Sequence, residues 1–197
     1  MLTTMLSGMR VIAGTHRGRR LYGPRKLVLR PTSDRVREAL FSILGNRLTN
    51  CRFLDLYAGT GAVGIEAVSR GAAHVTFVES NRDALKLLRQ NLELCHIGEE
   101  IAVVGRTIQQ FLDDPDQWNG PYDIVFADPP YAEASKLSSL FAEPRADDWF
   151  AVDSWLVIEH AAKTTFPMSL GCTKFLRRYR YGDTVLSLYF RPHTVQA

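Results

Sequence analysis

Residues 53–64 read Phe-Leu-Asp55-Leu-Tyr57-Ala-Gly59-Thr-Gly61-Ala-Val-Gly64, an apolar run that passes into a helical pattern through a Gly-x-Gly-x-x-Gly turn. Gly59 and Gly61 let the backbone turn sharply and approach a ligand, and Gly64 lets the helix pack closely on the strand. Glu79 ends the next apolar run, where a carboxylate can accept hydrogen bonds from both hydroxyls of a ribose. The stretch therefore predicts a site for a nucleotide-type cofactor.

Short apolar runs alternate with helical segments through most of the remaining chain. The predicted strands are 53–57, 75–79, 101–104, 124–127 and 156–159, and the predicted helices are 62–70, 81–95, 107–113 and 134–142. Two further strand-like runs, 174–181 and 184–191, meet at Gly182-Asp183 and predict a terminal hairpin. This order predicts an α/β fold with a Rossmann-like, doubly wound sheet that ends in an antiparallel pair.

The positive charge is concentrated at the start of the chain. Residues 1–47 hold ten Lys or Arg against two acidic residues, a balance of +8, whereas the whole chain of 197 residues has a net charge of +3. Such asymmetry favours a polyanionic partner and salt-sensitive binding, although a solvated surface has the same composition. Residues 9–31 are predicted to form a basic hairpin or arm around Gly14 and Gly18. Pro31-Thr-Ser-Asp34 then signals the start of a helix.

Composition excludes several classes of protein. A chain with 46% hydrophobic and 23% charged residues is neither disordered nor collagen-like. It contains no apolar run of membrane-spanning length and no basic signal peptide. Cys51, Cys95 and Cys172 are far apart and form no metal-binding pattern, so free thiols and no metal are expected. We therefore expect a cytoplasmic protein without a membrane partner.

A second group of polar residues follows the fourth predicted strand, at Asp128-Pro129-Pro130-Tyr131. Open α/β sheets bind ligands at the carboxyl ends of their strands, so this tetrapeptide should share a crevice with the glycine turn. Two prolines remove amide donors and leave the Asp128 carboxylate and a backbone carbonyl as acceptors beside an aromatic ring. The set suits a planar base with an exocyclic amine, whose lone pair the two acceptors would direct toward a methyl donor. The alternative is that Asp-Pro-Pro forms only a rigid connection from the strand to the following loop.

The residues alone leave the cofactor and the substrate open. Asp55 would repel the pyrophosphate of NAD and favour the cationic S-adenosylmethionine, but it could instead only hydrogen-bond the glycine turn. The tetrapeptide suits N6 of adenine, in DNA or RNA, as well as N2 of guanine. An NAD-linked oxidoreductase and a non-enzymatic RNA-binding module are the remaining alternatives.

The combined pattern of the glycine turn, Glu79, the Asp-Pro-Pro-Tyr segment and a terminal hairpin resembles class I S-adenosylmethionine-dependent amino-methyltransferases, which have a seven-stranded sheet. The segments 10–14, 17–21 and 29–41 (Arg-Val-Ile-Ala-Gly, Arg-Gly-Arg-Arg-Leu and Leu-Arg-Pro-Thr-Ser-Asp-Arg-Val-Arg-Glu-Ala-Leu-Phe) more narrowly resemble RsmD-type enzymes. These enzymes methylate N2 of a guanine in bacterial small-subunit (16S) rRNA. The resemblance extends from Met9 to about Arg191.

The resemblance implies a role for each matching residue. The cofactor would be bound by Asp55, Tyr57, Gly59, Gly61 and Glu79. The base would be held by Asp128, Pro129, Pro130 and Tyr131. RNA would be contacted by Arg17, Arg19, Arg20, Arg30, Thr32 and Arg35. Thr107 follows a strand where the family often carries Asp or Asn against the adenine amine, so Thr107 or a backbone group would replace that contact.

The resemblance also implies a domain organisation and partners. Residues 1–8 would be a disordered extension, residues 9–47 a basic RNA-binding hairpin and helix, and residues 48–197 the methyltransferase domain. The substrate would be small-subunit rRNA within an assembling particle, and the enzyme a monomer. Lys174, Arg177, Arg178 and Arg180 form a further basic cluster on the terminal hairpin. At least one of its faces would be solvated, and a role in binding the partner is the alternative.

Overall fold

A mixed sheet with helices on both faces forms the centre of the computed structural model, which describes residues 5–23, 34–130 and 133–193. The strands in this part of the chain are β1 Met5–Arg10, β2 Arg20–Gly23, β3 Arg52–Leu56, β4 His74–Val78, β5 Ile101–Val104, β6 Tyr122–Ala127, β7 Phe150–Ala161, β8 Ser169–Leu170, β9 Thr173–Tyr181 and β10 Thr184–Phe190. The large sheet has the order β5-β4-β3-β6-β7-β10-β9-β8. Strands β3 to β7 are parallel, and β10 is antiparallel to both of its neighbours.

The helices lie on the two faces of this sheet, as the alternating sequence pattern predicts. They are α1 Asp34–Leu44, α2 Ala62–Ser69, α3 Arg82–Cys95, α4 Ile108–Leu112 and α5 Ala134–Phe141. One core joins α1, α2 and α3 to residues such as Phe53 and Phe77, and the other joins α4 and α5 to Leu54 and Val78. The predicted fold class is confirmed. The sheet differs from the seven-stranded expectation by the two-residue strand β8 at its edge. None of the helices in the described ranges is both long and apolar enough to cross a bilayer.

Strand β7 is much longer than the predicted run 156–159. Its first half carries the exposed residues Val152 and Asp153, and Asp153 has a φ of 62°. The pairing of β7 with β6 also shifts register between Tyr122 and Ile124. Because this irregular first half of β7 lacks the periodicity of a strand, the apolar pattern of the sequence predicted only a part of the second half.

The N-terminal hairpin is built from β1 and β2, which pair in antiparallel orientation. The prediction that residues 1–8 are disordered is wrong for residues 5–8, because they belong to β1; residues 1–4 lie outside the described part of the chain. The turn at Gly14 packs tightly against α2, where a Cβ on Gly14 would lie 1.7 Å from the carbonyl oxygen of Ser69. The hairpin is therefore docked on the body of the protein.

Buried charges fix this docking. Glu66 on α2 is fully buried, and its carboxylate accepts hydrogen bonds from the backbone N–H groups of Ile12 at 2.7 Å and Ala13 at 3.0 Å. Arg70 pairs with the same carboxylate at 2.7 Å. Arg37 on α1 is also fully buried and donates to the carbonyl of Arg10. Paired charges of this kind are costly to break, so they hold β1, α1 and α2 together.

Strand register brings the ends of three parallel strands to one level. Leu56 at the end of β3 is paired with Val78 of β4 and with Ala127 of β6. The residues that follow these three are Tyr57, Glu79 and Asp128, so they leave the sheet side by side at its carboxyl edge. The fold therefore places the glycine turn beside the Asp-Pro-Pro segment.

Candidate active site

The glycine turn follows β3 and has the backbone conformation expected of it. Gly59 has a φ of 57° and Gly61 a φ of 79°, both in the left-handed region. A Cβ on Gly59 would meet little but the carbonyl oxygen of Tyr57 at 3.9 Å, so a ligand has room to approach. A Cβ on Gly64 would instead lie 2.2 Å from Cε1 of Phe77. Gly59 thus leaves space for a ligand, and Gly64 permits close packing of the helix on the strand.

Asp55 lies beneath this turn and is almost completely buried. Its Oδ2 accepts a hydrogen bond from the backbone N–H of Gly64 at 2.9 Å. The pKa of Asp55 is raised to about 8, mainly by burial and in smaller part by the nearby carboxylates of Asp128 and Glu79, despite the hydrogen bond from Gly64. The geometry favours the alternative in which Asp55 supports the turn. It also shows that three carboxyl groups gather at this edge of the sheet.

Glu79 holds the outer part of the turn. Its Oε2 accepts from the N–H of Gly59 at 2.8 Å, and its Oε1 accepts from the N–H of Asn81 at 2.7 Å. Each carboxylate oxygen has two lone pairs, so both retain capacity to accept a ribose hydroxyl. The Asn81 side chain in turn accepts from two N–H groups at the start of α3. Glu79 is thereby oriented at the site from both sides.

The Asp-Pro-Pro segment begins where β6 ends. Asp128 is half-buried and its N–H donates to the carbonyl of Leu56 at 3.4 Å, while Pro129 is buried and Pro130 exposed. The N–H of Glu133 donates to the carbonyl of Pro130 at 2.8 Å and begins the turn into α5. Tyr131, predicted to contact the base, lies outside the described residues. The segment is rigid because both prolines fix the backbone and a turn follows them.

Tyr57 connects the two segments in a way that the sequence did not reveal. It has a φ of 61°, which is uncommon for a residue with a side chain, and such strained positions concentrate at functional sites. Burial raises the pKa of Tyr57, and so do the charge of Glu133 and the hydrogen bond between the two side chains. The Tyr57 hydroxyl therefore donates to Glu133, which links the glycine turn to the loop after Asp128.

Asn91 on α3 makes a second connection that sequence reasoning missed. It is fully buried. Its Oδ1 accepts from the N–H of Tyr22 at 2.7 Å, and its Nδ2 donates to the carbonyls of Tyr22 at 3.1 Å and Thr60 at 2.9 Å. Tyr22 belongs to the basic hairpin and Thr60 to the glycine turn. One side chain thus ties the two together.

Thr107, the predicted substitute for an adenine contact, is the N-cap of α4. Its Oγ1 accepts from the N–H of Gln110 at 3.2 Å, and its own N–H donates to Oε1 of Gln110 at 3.1 Å. This reciprocal arrangement is a capping box. The hydroxyl hydrogen of Thr107 is not needed for that bond and can still be donated to a ligand.

The basic hairpin presents exposed arginines at positions 17, 19 and 20. Arg19 is already engaged, because its guanidinium donates to the carbonyl of Leu94 at 2.7 Å near the C-terminus of α3. Arg35 is exposed on α1, whereas Arg30 and Thr32 lie outside the described residues. Among the described residues, the structure therefore places three of the predicted RNA contacts on the hairpin and one, Arg35, on α1.

Comparison with known proteins identifies the family. A profile described as "Conserved hypothetical protein 95" matches residues 9–190. The chain belongs to this family. It is 34% identical over 183 residues to the ribosomal RNA small subunit methyltransferase D of Escherichia coli K12, covering 93% of this chain and 90% of that protein. The enzyme of the same name from Haemophilus influenzae is 37% identical over 155 residues, covering 77% and 78% of the two chains.

The fold has a solved counterpart as well. The structure of the Escherichia coli protein yhhF superposes with a TM-score of 0.80 at 30% identity, and the match covers 94% of this chain and 99% of that one. The family and the methyltransferase class predicted from the sequence are confirmed.

Proposed function

We propose that this protein transfers a methyl group from S-adenosylmethionine to the exocyclic N2 of a guanine in small-subunit (16S) rRNA. The observation that carries the proposal is the alignment of Tyr57, Glu79 and Asp128 at one edge of the sheet. It is supported by the relatives from two bacteria that are named as small-subunit rRNA methyltransferases.

The charge of the site supports the choice of cofactor. Asp55, Glu79 and Asp128 are close enough for the last two to raise the pKa of the first. With Asp55 mostly uncharged, the carboxylates of Glu79 and Asp128 would disfavour the pyrophosphate of NAD and favour a ligand that carries a sulfonium and an ammonium group. Gly59 and Gly61 would line the ligand, and Glu79 would accept from its ribose. S-adenosylmethionine supplies an electrophilic methyl group at this place.

The chain's own contribution to the reaction lies mainly in Asp128 and its two prolines. The Asp128 carboxylate and the Pro129 carbonyl would accept hydrogen bonds from the exocyclic amine of the base. Drawing on both N–H bonds increases electron density on the nitrogen and fixes the direction of its lone pair. Asp128 can also receive the proton that the nitrogen loses once it is methylated. Tyr131 would stack on the base, which must leave its helix to reach the site.

The basic N-terminal residues supply contacts to the RNA in this proposal. Residues 9–47 form the RNA-binding appendage, and residues 48–197 form the catalytic domain. Exposed arginines at 17, 20 and 35 would neutralise phosphates, and Arg19 would do so through its remaining donors. Arg30 would add a further positive charge, and Thr32 a hydroxyl donor. The enzyme acts in the cytoplasm as a monomer, on rRNA within an assembling particle.

The test is transfer of an isotope-labelled methyl group to small ribosomal subunits taken from cells that lack the enzyme. The RNA is digested and the labelled nucleoside is identified by mass spectrometry. We expect N2-methylguanosine from the wild-type protein and a loss of turnover of at least about 100-fold in Asp128→Ala. Binding of S-adenosylhomocysteine, measured by calorimetry, should persist in that variant.

The exposed Asp116 provides a matched control, because Asp116→Ala removes a carboxylate that precedes β6, whereas Asp128 follows that strand. If the labelled nucleoside is N6-methyladenosine, the target base is adenine and the proposed guanine is wrong. Full turnover by Asp128→Ala would remove the role given to Asp128, and no label from a wild-type protein that binds the cofactor would refute the proposed substrate.

A further inference from the structure

Strand β9, which only the two-residue strand β8 separates from the edge of the large sheet, carries a basic strip that lies outside the site described above. Strand β9 contains four basic residues, Lys174, Arg177, Arg178 and Arg180, and no acidic one. All four side chains are exposed. Strand β8 pairs only with Lys174 and Thr173, so the two arginines nearest the hairpin tip lie beyond the reach of β8.

Strand register shows where these two arginines lie relative to Asp128. Ala127, directly before Asp128, is paired with Ile158 of β7; Ile158 is paired with Ser187 of β10, and Ser187 with Arg178. Arg178 is therefore level with the end of β6, three strand spacings away, or about 14 Å. Two antiparallel steps make β9 parallel to β6. Arg180 accordingly lies two residues farther toward the edge that carries Asp128.

Both arginines project from the same face of β9, since side chains alternate along a strand. The surroundings of Arg178 include His160, whose pKa is lowered first by burial and further by the charge of that arginine. Nε2 of His160 is hydrogen-bonded to the Ser187 hydroxyl at 2.7 Å. The Nε of Arg180 donates to the carbonyl of Gly182 at 2.9 Å, which uses one of its five N–H donors.

We infer that Arg178 and Arg180 bind backbone phosphates of the RNA strand that carries the target base. The inference rests on the proposed function and extends it by a second RNA contact, on the side of Asp128 away from the glycine turn. A separation of about 14 Å corresponds to about four nucleotides at the 3.4 Å spacing of a stacked strand. Arginine suits this role because its planar guanidinium matches the geometry of a phosphate.

Protection of an open sheet edge is the competing explanation for exposed charges on an outer strand. For protection, the position of the charge along the edge does not matter. Lys174 would then serve as well as Arg178 or Arg180, although it lies six residues, or about 20 Å, from Arg180 along the strand. The position of a charge along β9 therefore distinguishes the two explanations.

The experiment measures the affinity and methylation of unmodified small ribosomal subunits at several salt concentrations. Replacing both arginines in Arg178→Gln/Arg180→Gln should lower the salt slope of binding by about 1.4 and the affinity at 0.15 M salt by about tenfold, as expected for two lost phosphate contacts. Arg178→Lys/Arg180→Lys, which keeps both charges, should retain the wild-type slope. Lys174→Gln is the matched control and should change the slope little.

Two further readouts make the outcome decisive. The affinity for S-adenosylhomocysteine should not change in the double glutamine variant, which shows that the fold is intact. An unchanged slope in that variant, an equal loss in Lys174→Gln, or self-association with normal RNA binding would overturn the inference while leaving the proposed function in place. A wild-type protein that forms no N2-methylguanosine would overturn the proposed function, and this inference with it.

Discussion

Replacing Asp55 by asparagine should change how the stability of the protein depends on pH. Asp55 is almost fully buried, and its pKa is raised to about 8, mainly by burial. Near neutral pH the folded protein therefore holds this side chain mostly as the uncharged acid. Asparagine resembles that acid in shape and keeps an oxygen to accept from the N–H of Gly64. The variant should therefore fold, and its stability should lack the pH dependence that the Asp55 carboxyl gives to the wild type.

The sign and size of the effect follow from linkage. In the unfolded chain the same carboxyl has a pKa of about 3.9, so between about pH 4 and pH 8 the folded state holds a proton that the unfolded state has lost. The raised pKa gives a contribution that is fully present below the unfolded value and is lost as the pH rises through this window. At about 1.36 kcal/mol per pKa unit, the loss between pH 5 and pH 7 is about 3 kcal/mol. Asp55→Asn should not show it.

Urea unfolding at pH 5, 6 and 7 measures this loss directly. The stability of Asp55→Asn minus that of the wild type should rise by about 3 kcal/mol across the series. Asp123→Asn is the control, because Asp123 also accepts one backbone N–H, from Arg52 at 2.8 Å, but is exposed. Its difference from the wild type should stay flat. A flat difference for Asp55→Asn as well would show that Asp55 is ionised in the folded protein, which refutes the reasoning.

Two more predictions concern packing around the glycine turn. Gly64→Ala should lower the free energy of unfolding by about 1–3 kcal/mol, because the new Cβ would lie 2.2 Å from Cε1 of Phe77; an unaltered urea midpoint would contradict the tight contact. Asn91→Ala breaks the hydrogen bonds to Tyr22 and Thr60 and should cost about 1–3 kcal/mol. It should also weaken binding of S-adenosylhomocysteine, and an unchanged affinity in calorimetry would separate Asn91 from the cofactor site.

The parts of the site that the sequence predicted are those set by local rules. A strand followed by glycines, and the end of the next strand, place Gly59 and Glu79 without any knowledge of distant contacts. Asp128 follows from the same rule about strand ends. Each of these positions depends only on short segments and on the order of strands in a parallel sheet.

The parts that escaped prediction depend on contacts between distant segments. Asn91 meets Tyr22 across 69 positions of sequence, and Arg37 meets the carbonyl of Arg10 across 27 positions. Both are polar residues on helices, where the usual expectation is exposure to solvent. Their burial follows from the docking of the N-terminal hairpin, which no periodicity in the sequence encodes.

The amide of Asn91 has a thermodynamic consequence for the binding of cofactor and RNA. It contacts the hairpin at Tyr22 and the glycine turn at Thr60. A ligand that stabilises one of these two segments therefore also stabilises the other through Asn91. Linkage makes such coupling reciprocal: whatever factor the cofactor adds to the affinity for RNA, the RNA adds to the affinity for the cofactor. The contacts of Asn91 would therefore change the affinities for the cofactor and for the RNA by the same factor.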